Sequence, residues 1–374
     1  MTPNLNAVRR LVIKMGSVLL VDEAAGAIHH ARLAGLAADV AQLRRNGAEV
    51  MIVSSGAIAV GRRFLGFAAG PLKLEEKQAA AACGQLRLAH AYQEALAAHD
   101  ITIAQILLTT DDTEERRRYL NARNTINTLL AAGAVPIINE NDTVATAEIR
   151  FGDNDRLAAR VAAMMSAEVL VLLSNIDGMY SADPARDSAA EWIPRIDAIT
   201  PEIEAAAGAA GSADASGGMQ TKLEAARIAM AAGCHMVIAK GDVDRPIAAL
   251  EAGARSTWFV TKATPRAARK QWIAGSLKPR GTLTIDAGAE AALAAGRSLL
   301  PAGVDAVEGN FERGESVTVK GAAGGLIGRG LIAYSAADAR RIIGHKTGEI
   351  ERILGYRGRD AIIHRDDLVL EEGA

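Results

Sequence analysis

The chain has 374 residues, 49% hydrophobic and 23% charged, with a formal net charge of −2. This length predicts two domains, or one large domain with an appendage. The near-neutral charge excludes a global basic field that would recruit nucleic acid or membrane lipid. Two cysteines, Cys83 and Cys234, are too few for a disulfide scaffold and favour a reducing cytoplasm. The N-terminal region has no signal-peptide pattern, and Lys14 interrupts its short apolar stretch, so we expect a cytoplasmic protein without a membrane span.

Two strand-to-turn junctions open the chain. Residues 9–14 predict a strand that ends in Lys14 and is followed by Gly16-Ser17. Because glycine lets the backbone approach closely, this lysine is well placed to meet a phosphate, although a solvated strand end is the alternative. A second strand, 49–53, runs into the small residues of 54–61, SSGAIAVG, and then a helix. Such a turn offers free backbone N–H groups to an anion, but it is neither a Walker nor a G-x-G-x-x-G motif.

Strands and helices then alternate along the chain. Helices are predicted near 30–46, 76–98, 119–132, 156–166 and 219–232, and strands near 101–108, 135–138, 169–173, 236–239 and 257–260. This alternation predicts a three-layer αβα fold with a mostly parallel central sheet.

A polar segment, residues 139–155, follows the apolar strand 135–138. Polar groups beyond the carboxyl end of a strand are where open α/β sheets bind ligands. Within this segment, residues 144–146 and 149–151 are interpreted as a small ribbon over the opening. The alternative is a solvated loop, since Asn and Asp favour turns.

Two later segments also indicate an anion or nucleotide site. Residues 174–184 are turn-rich after a fully apolar strand and suit an adenine and ribose pocket, with a plain surface loop as the alternative. The small residues 205–218 end in Gly217-Gly218 before a helix, which places Lys222 in its first turn. The helix dipole favours an acid there, so a lysine indicates a nearby anion, with a common loop before a helix as the alternative.

The pattern changes after residue 262. Residues 263–280 form a basic, Pro-containing connector. Beyond it, short strands near 282–285, 306–307, 316–320 and 326–334, with helices near 287–296 and 336–344, predict a small β-rich domain. The predicted organisation is therefore a first domain at 1–262, a linker at 263–280 and a second domain at 281–374.

Nearly the whole chain resembles the glutamate 5-kinase family of the amino acid kinase superfamily, in its form with a C-terminal PUA domain. The motifs that carry the resemblance are VIKMGS, SSGAIAVG, LNARNTINTLL, INENDTVATAEI…GDND, DGMYSADP, SGGMQTK, SLLPAGV, GNFERGE and GHKTGEIERILGY…IHRDD. INENDTVAT together with GGMQTK is highly specific for this family.

The resemblance implies ATP-dependent phosphorylation of the L-glutamate γ-carboxylate, the first step of proline biosynthesis. It implies that Lys14 and Lys222 contact the ATP phosphates and that Asp155 holds both lysines. Further roles it implies are glutamate binding by Ser55, Asp142 and Asn154, and nucleotide binding by Lys14, Ser174, Asn175, Ser216, Gly217, Gly218, Met219, Gln220, Thr221 and Lys222. Mg²⁺ would arrive with ATP, with no dedicated protein metal site. The family pattern also implies a homo-oligomer, dimer or tetramer, and feedback inhibition by proline.

Three positions depart from the family pattern. The usual Gly-Thr-Ser after the first lysine is one residue short here, as Gly16-Ser17. Asn175 stands where Asp is common, which removes a carboxylate, and Ser216 replaces a frequent Thr while keeping the hydroxyl.

The required chemistry is compatible with these residue types. A γ-carboxylate, whose ordinary pKa is about 4.3, is already ionised at neutral pH, so the transfer needs no general base. It needs positioning and positive charge, because an anionic nucleophile must approach an anionic triphosphate.

Two other classes of function stay open on the sequence. A sibling kinase for acetylglutamate, aspartate, carbamate or UMP would share the fold and differ around the glutamate residues. RNA binding is the other class, because PUA domains occur in RNA-modifying enzymes. Residues 280–374 hold 12 Lys and Arg against 14 Asp and Glu, and this acidic balance disfavours a strong RNA site.

Overall fold

The structure of the chain is a computed structural model, which describes residues 2–22, 26–68, 70–144, 153–209, 218–276 and 278–371. It divides into two compact units between Pro265 and Arg266. Within the described ranges, every helix is too short or too polar to cross a membrane.

The first unit alternates strands with helices. Its strands are β1 (Arg10–Met15), β2 (Val21–Asp22), β3 (Ala27–Ile28), β4 (Glu49–Ser54), β5 (Ile103–Leu108), β6 (Val135–Glu140), β7 (Val169–Ser174), β8 (Met179–Tyr180), β9 (Trp192–Ile193), β10 (Arg195–Ile196), β11 (His235–Lys240) and β12 (Ser256–Phe259). Its helices are α1 (Ser17–Leu20), α2 (His30–Arg45), α3 (Ala57–Phe64), α4 (Leu74–Ala97), α5 (Thr110–Glu114), α6 (Arg116–Ala131), α7 (Asp153–Met165), α8 (Pro201–Ala209), α9 (Met219–Ala231) and α10 (Pro246–Glu251).

Eight described strands form the central sheet, in the order β10-β12-β11-β7-β1-β4-β6-β5. The run from β11 to β5 is parallel throughout, and β12 pairs antiparallel with β11. The predicted mostly parallel sheet covered by helices is therefore confirmed. Because β7, β1, β4 and β6 are neighbours and parallel, their carboxyl ends meet at one edge of the sheet.

The sheet separates two apolar layers, and β1 shows how the sequence chooses between them. Leu11, Ile13 and Met15 belong to the layer that contains α2 and α4. Val12 belongs to the opposite layer, which contains α7 and α9. Successive side chains of a strand alternate between faces, so Lys14 lies on the same face as Val12, toward α7 and α9.

Helices α3 and α4 cross at a pair of glycines. A Cβ on Gly61 would lie 1.8 Å from the carbonyl oxygen of Ala80, and one on Gly84 would lie 1.8 Å from that of Ala57. Only glycine permits this backbone approach. The crossing fixes α3, which begins directly after Gly56, whose φ of 100° is left-handed.

The second unit is a five-stranded sheet with four helices among its described residues. The strands, in the order β14-β13-β15-β16-β17, are β13 (Gly281–Ile285), β14 (Val304–Gly309), β15 (Ser316–Gly321), β16 (Leu326–Ile332) and β17 (Ile363–Leu370). The helices are α11 (Pro265–Ser276), α12 (Ala287–Ala294), α13 (Ala336–Ile342) and α14 (Ile350–Leu354). Short 3-10 turns lie at Leu5–Ala7 in the first unit and at Pro301–Gly303 and Thr347–Glu349 in the second. The predicted β-rich C-terminal domain is confirmed.

Part of the predicted connector is helical. Residues Pro265–Ser276 form α11, and Arg269 of this helix makes a buried ion pair with Asp367 of β17, with Nη2 and Oδ1 2.5 Å apart. Proline is favoured at the first position of a helix because its missing N–H would be unpaired there in any case. The boundaries predicted at 262 and 281 stay a prediction.

Candidate active site

One carboxylate and two ammonium groups form a buried cluster at the carboxyl edge of the sheet. The Lys14 Nζ lies 2.7 Å from Oδ1 of Asp155, and the Lys222 Nζ lies 3.1 Å from Oδ2 of the same carboxylate. The Thr221 hydroxyl donates to that second oxygen at 3.1 Å. We call Lys14, Asp155 and Lys222 the lysine cluster. Its formal charge is +1, from two ammonium groups and one carboxylate.

Three separate elements supply the lysine cluster. Lys14 comes from the end of β1, Asp155 from the first turn of α7, and Lys222 from the first turn of α9. Helices α7 and α9 pack against each other on the face to which Lys14 points. The side chains are only 10%, 1% and 8% exposed, in that order, so bulk water screens their charges weakly.

Burial and the attraction between opposite charges act on the pKa values of the cluster in opposite directions. Burial by itself would raise the pKa of Asp155, but Lys14 and Lys222 outweigh it and hold that pKa below its usual value. Burial lowers the pKa of Lys222, and the positive charge of Lys14 adds to this, while Asp155 acts in the opposite sense. A lysine held in this way loses its proton more readily than one in water.

The predicted glutamate residues Ser55 and Asn154 are also brought together. Asn154 Nδ2 donates to the Ser55 hydroxyl at 3.0 Å and to Oδ1 of Asn139 at 3.1 Å. Asn139 Nδ2 in turn donates to Oε1 of Gln85 on α4 at 2.6 Å. We call Gln85, Asn139 and Asn154 the amide relay. It lies beside the lysine cluster in sequence, since Asn154 precedes Asp155.

Sequence patterns did not single out Gln85, and they left Asn139 without a role. The signal at Gln85 was a polar residue on the side of α4 that also carries Gly84 and Leu88, both buried. Its contact with Asn139 spans 54 positions, a separation that no local pattern reveals.

The described residues among those predicted to bind the nucleotide, apart from Lys14, lie at the end of β7 and at the start of α9. The Ser174 hydroxyl, at the end of β7, donates to Oδ1 of the exposed Asn175 at 3.3 Å. Gly218 directly precedes α9 with an extended backbone and accepts from the Thr221 hydroxyl at 2.9 Å. Met219 is buried, whereas Gln220 is exposed.

Some predicted positions lie outside the described residues. These are Ser216, Gly217 and the ribbon proposed for 144–151, apart from its first residue, Val144. Asp142 is described and half-buried in the turn that follows β6.

The described residues can also be examined as possible ligands of Mg²⁺. Within them, no group of three His, Cys, Asp or Glu side chains is placed to hold a metal ion. Both oxygens of Asp155 face lysine ammonium groups. Mg²⁺ is commonly held by one or two carboxylates together with substrate phosphates and water.

Comparison with known families agrees with this fold. Residues 9–240 match the amino acid kinase family, and residues 281–354 match the PUA domain. The parallel sheet, with its buried lysine cluster at the carboxyl edge, is thus the sheet of an amino acid kinase.

Relatives that match along nearly the whole chain identify the family within the amino acid kinases. The chain is 63% identical to a glutamate 5-kinase from Paramagnetospirillum magneticum over 98% of its own length and 99% of the relative's. It is 59% identical to one from Rhodopseudomonas palustris, over 99% and 98%. A third, from Agrobacterium fabrum, is 60% identical over 98% and 94%. The chain belongs to the glutamate 5-kinase family.

Proposed function

We propose that the chain transfers the γ-phosphoryl group of ATP to the γ-carboxylate of L-glutamate. The product is γ-glutamyl phosphate, and the reaction is the first step of proline biosynthesis. The observation that carries the proposal is the buried lysine cluster. Its Asp155 directly follows Asn154, which hydrogen-bonds the Ser55 side chain. Family membership agrees with it.

The two lysines have the charge that this transfer requires. A carboxylate that attacks a triphosphate meets electrostatic repulsion, and a loose phosphoryl-transfer transition state spreads negative charge over its oxygens. Lys14 and Lys222 neutralise that charge from two sides of the transferring group. Asp155 is a positioning residue, since it holds both ammonium groups and has no proton to accept from an ionised substrate.

Ser55, Asn154 and Asp142 form the glutamate side of the site. The Ser55 hydroxyl and the Asn154 amide can hydrogen-bond the polar ends of an amino acid. Asp142, in the turn after β6, is a suitable partner for the α-ammonium group, because charge-assisted hydrogen bonds are the stronger class.

The nucleotide occupies the ends of β7 and α9. Ser174 and Asn175 are the proposed contacts after β7, and residues 216–222 are the proposed contacts before and at the start of α9. The first backbone N–H groups of a helix have no partner within the helix, so those of α9 suit the phosphates. Mg²⁺ bound to the phosphates supplies further charge neutralisation when present.

A hydroxylamine trap tests this function. Purified protein with Mg²⁺-ATP and hydroxylamine should give the coloured hydroxamate with glutamate, and not with aspartate, N-acetylglutamate or no amino acid. Lys222→Ala should abolish the signal, because it removes one of the two ammonium groups. Hydroxamate with a different acceptor would reassign the acceptor pocket, and silence with every acceptor would refute the kinase.

The wider proposal includes regulation and assembly. Proline shares the α-carboxylate and amine of glutamate, so we expect it to inhibit by competing for the Ser55–Asn154 site. We also expect a cytoplasmic homo-oligomer in which the C-terminal domain tunes activity or assembly. Deletion of residues 281–374 should change activity, oligomer size or the proline response, and no change in any of the three would refute that role.

A further inference from the structure

We propose that Gln85 and Asn139 are positioning residues that fix the polarity of the acceptor site. They hold the Asn154 amide so that its Oδ1 accepts a hydrogen bond from the α-ammonium group of the amino acid. This inference rests on the proposed role of Asn154 in glutamate binding.

The hydrogen bonds of the amide relay run in one direction. The backbone N–H of Glu140 donates to Oδ1 of Asn139 at 2.9 Å, and a backbone N–H cannot act as an acceptor. Asn139 must therefore present Oδ1 to Glu140 and Nδ2 to the other side. Gln85 Oε1 accepts from that Nδ2 at 2.6 Å and so closes the relay.

The orientation of the Asn139 amide also determines the orientation of the Asn154 amide. Its Nδ2 carries two N–H groups, and both have acceptors, namely Oδ1 of Asn139 and Oγ of Ser55. Its Oδ1 is buried and has no hydrogen-bond partner among the residues that the structure describes. A buried acceptor without a donor is costly, and it gains most from a ligand that brings an N–H group.

A flipped Asn154 amide would present donors to the ligand in place of this acceptor. It would also place two oxygens, its own and that of Asn139, against each other. The relay disfavours this arrangement as long as Asn139 is held. Glu140 and Asn154 both donate to Oδ1 of Asn139, and Gln85 accepts from its Nδ2 on the other side of the amide.

The position of Gln85 is itself rigid. It follows Gly84, where α4 crosses α3 at backbone contact distance, and it is 9% exposed. The same crossing anchors α3, which begins two residues after Ser55. Both ends of the hydrogen-bonded chain from Gln85 to Ser55 are therefore attached to one helix pair.

Recognition of the ammonium group gives the experiment its readout. Glutarate has both carboxylates of glutamate and lacks the amine. We measure the KM for glutamate, the KM for ATP and the Ki of glutarate as a competitor of glutamate. Gln85→Met keeps the length of the side chain and removes the acceptor, whereas Gln85→Glu keeps an acceptor for Asn139. Gln93→Met is the matched control, because Gln93 is an exposed glutamine on the same helix.

Gln85→Met should raise the KM for glutamate about tenfold, the effect of one buried donor left unsatisfied. The Ki of glutarate and the KM for ATP should change less than about twofold, since neither depends on the ammonium contact. Gln85→Glu should restore most of the lost affinity, and Gln93→Met should match the unmodified chain. Equal losses for glutamate and glutarate, an unchanged KM for glutamate, or no rescue by Gln85→Glu would each overturn the inference.

Asn154→Ala separates this inference from the proposed function. If it leaves the KM for glutamate unchanged, the proposed role of Asn154 in the site is wrong. If it raises that KM while Gln85→Met does not, the site assignment survives and the relay fails. Should Gln85→Met fold poorly, the double-variant cycle between Gln85→Glu and Asn154→Ala still measures the coupling.

Discussion

The Asp155→Asn substitution tests the central electrostatic arrangement. Asn has nearly the same shape as Asp but one acceptor oxygen, and it turns N–H donors toward the other lysine. One ammonium group then keeps a partner while the second faces a donor in a buried space. The lysines are no longer held in one geometry, and both stability and activity should fall.

The magnitudes follow from burial. Removal of one member of a buried ion pair costs about 3–5 kcal/mol, and the 1% exposure of Asp155 places this site in that range. A displacement of about 1 Å at a reacting centre costs roughly 100-fold in rate, so we expect kcat to fall by about that factor. The folded-state pKa of Asp155 is lowered, so its stabilising contribution exists above the unfolded value of about 3.9 and is lost as pH falls through the folded pKa. The stability gap between the two proteins should therefore close in acid.

The assays are urea denaturation of the protein at neutral and acidic pH, and the hydroxamate rate at saturating substrates. Asp39→Asn is the matched control. Asp39 is also a buried carboxylate, 2% exposed, which accepts from the Ile247 N–H at 2.8 Å and from Arg245 at 3.1 Å. It belongs to α2 on the other face of the sheet, so its loss should cost stability and leave kcat intact. An Asp155→Asn protein with kcat within threefold of the unmodified chain would refute the reasoning.

Three further predictions concern other parts of the chain. The lowered pKa of Lys222 should make kcat/KM fall at an alkaline pH below the ordinary lysine pKa of about 10.4. Lys222→Arg should move this fall to higher pH. A fall at the same pH in both proteins would contradict the prediction. Gly84→Ala should lower the free energy of unfolding by about 3 kcal/mol or more in urea denaturation, because its Cβ would collide with the α3 backbone. Gly47→Ala is the control: its φ is 88°, but its Cβ would meet nothing within 4 Å, so it should cost about 1 kcal/mol. Equal costs for the two variants would refute the helix crossing. Arg269→Ala should lower the unfolding midpoint of the second unit in a thermal scan, because it breaks the buried pair with Asp367. Arg280→Ala, which removes an exposed arginine from its pair with the half-buried Glu315, should change the midpoint little. Similar shifts in the two variants would show that burial of the pair does not matter.

Much of the first unit could be predicted because its strands are continuous apolar runs buried on both faces. The strand before Lys14, the strand before Ser55 and the run Val135–Ile138 were all placed within a few residues. Parallel strands must also share a carboxyl edge, so the convergence of their polar ends followed from topology.

The ends of helices and strands are harder to predict, since the same residue types occur both in turns and at helix ends. The sequence predicts that α7 begins at 156, whereas the helix includes Asp153, Asn154 and Asp155. Asp and Asn favour both turns and the first residues of helices, and the sequence does not distinguish these. The sequence places Pro265 in a connector, whereas in the structure it begins α11. Strand β17 and its buried partner Arg269 depend on a contact across 98 positions.

The held lysines also determine when conformational entropy is lost. A free lysine side chain loses up to about 2 kcal/mol of rotamer entropy when it is fixed in one geometry. In this protein Asp155 fixes two of them as the chain folds, before any nucleotide arrives. In the proposed nucleotide site, a triphosphate would therefore meet ammonium groups that are already immobile, and less of its binding energy would be spent on ordering them. If the proposed site is right, one carboxylate contributes both to the stability of the folded chain and to the speed of its chemistry.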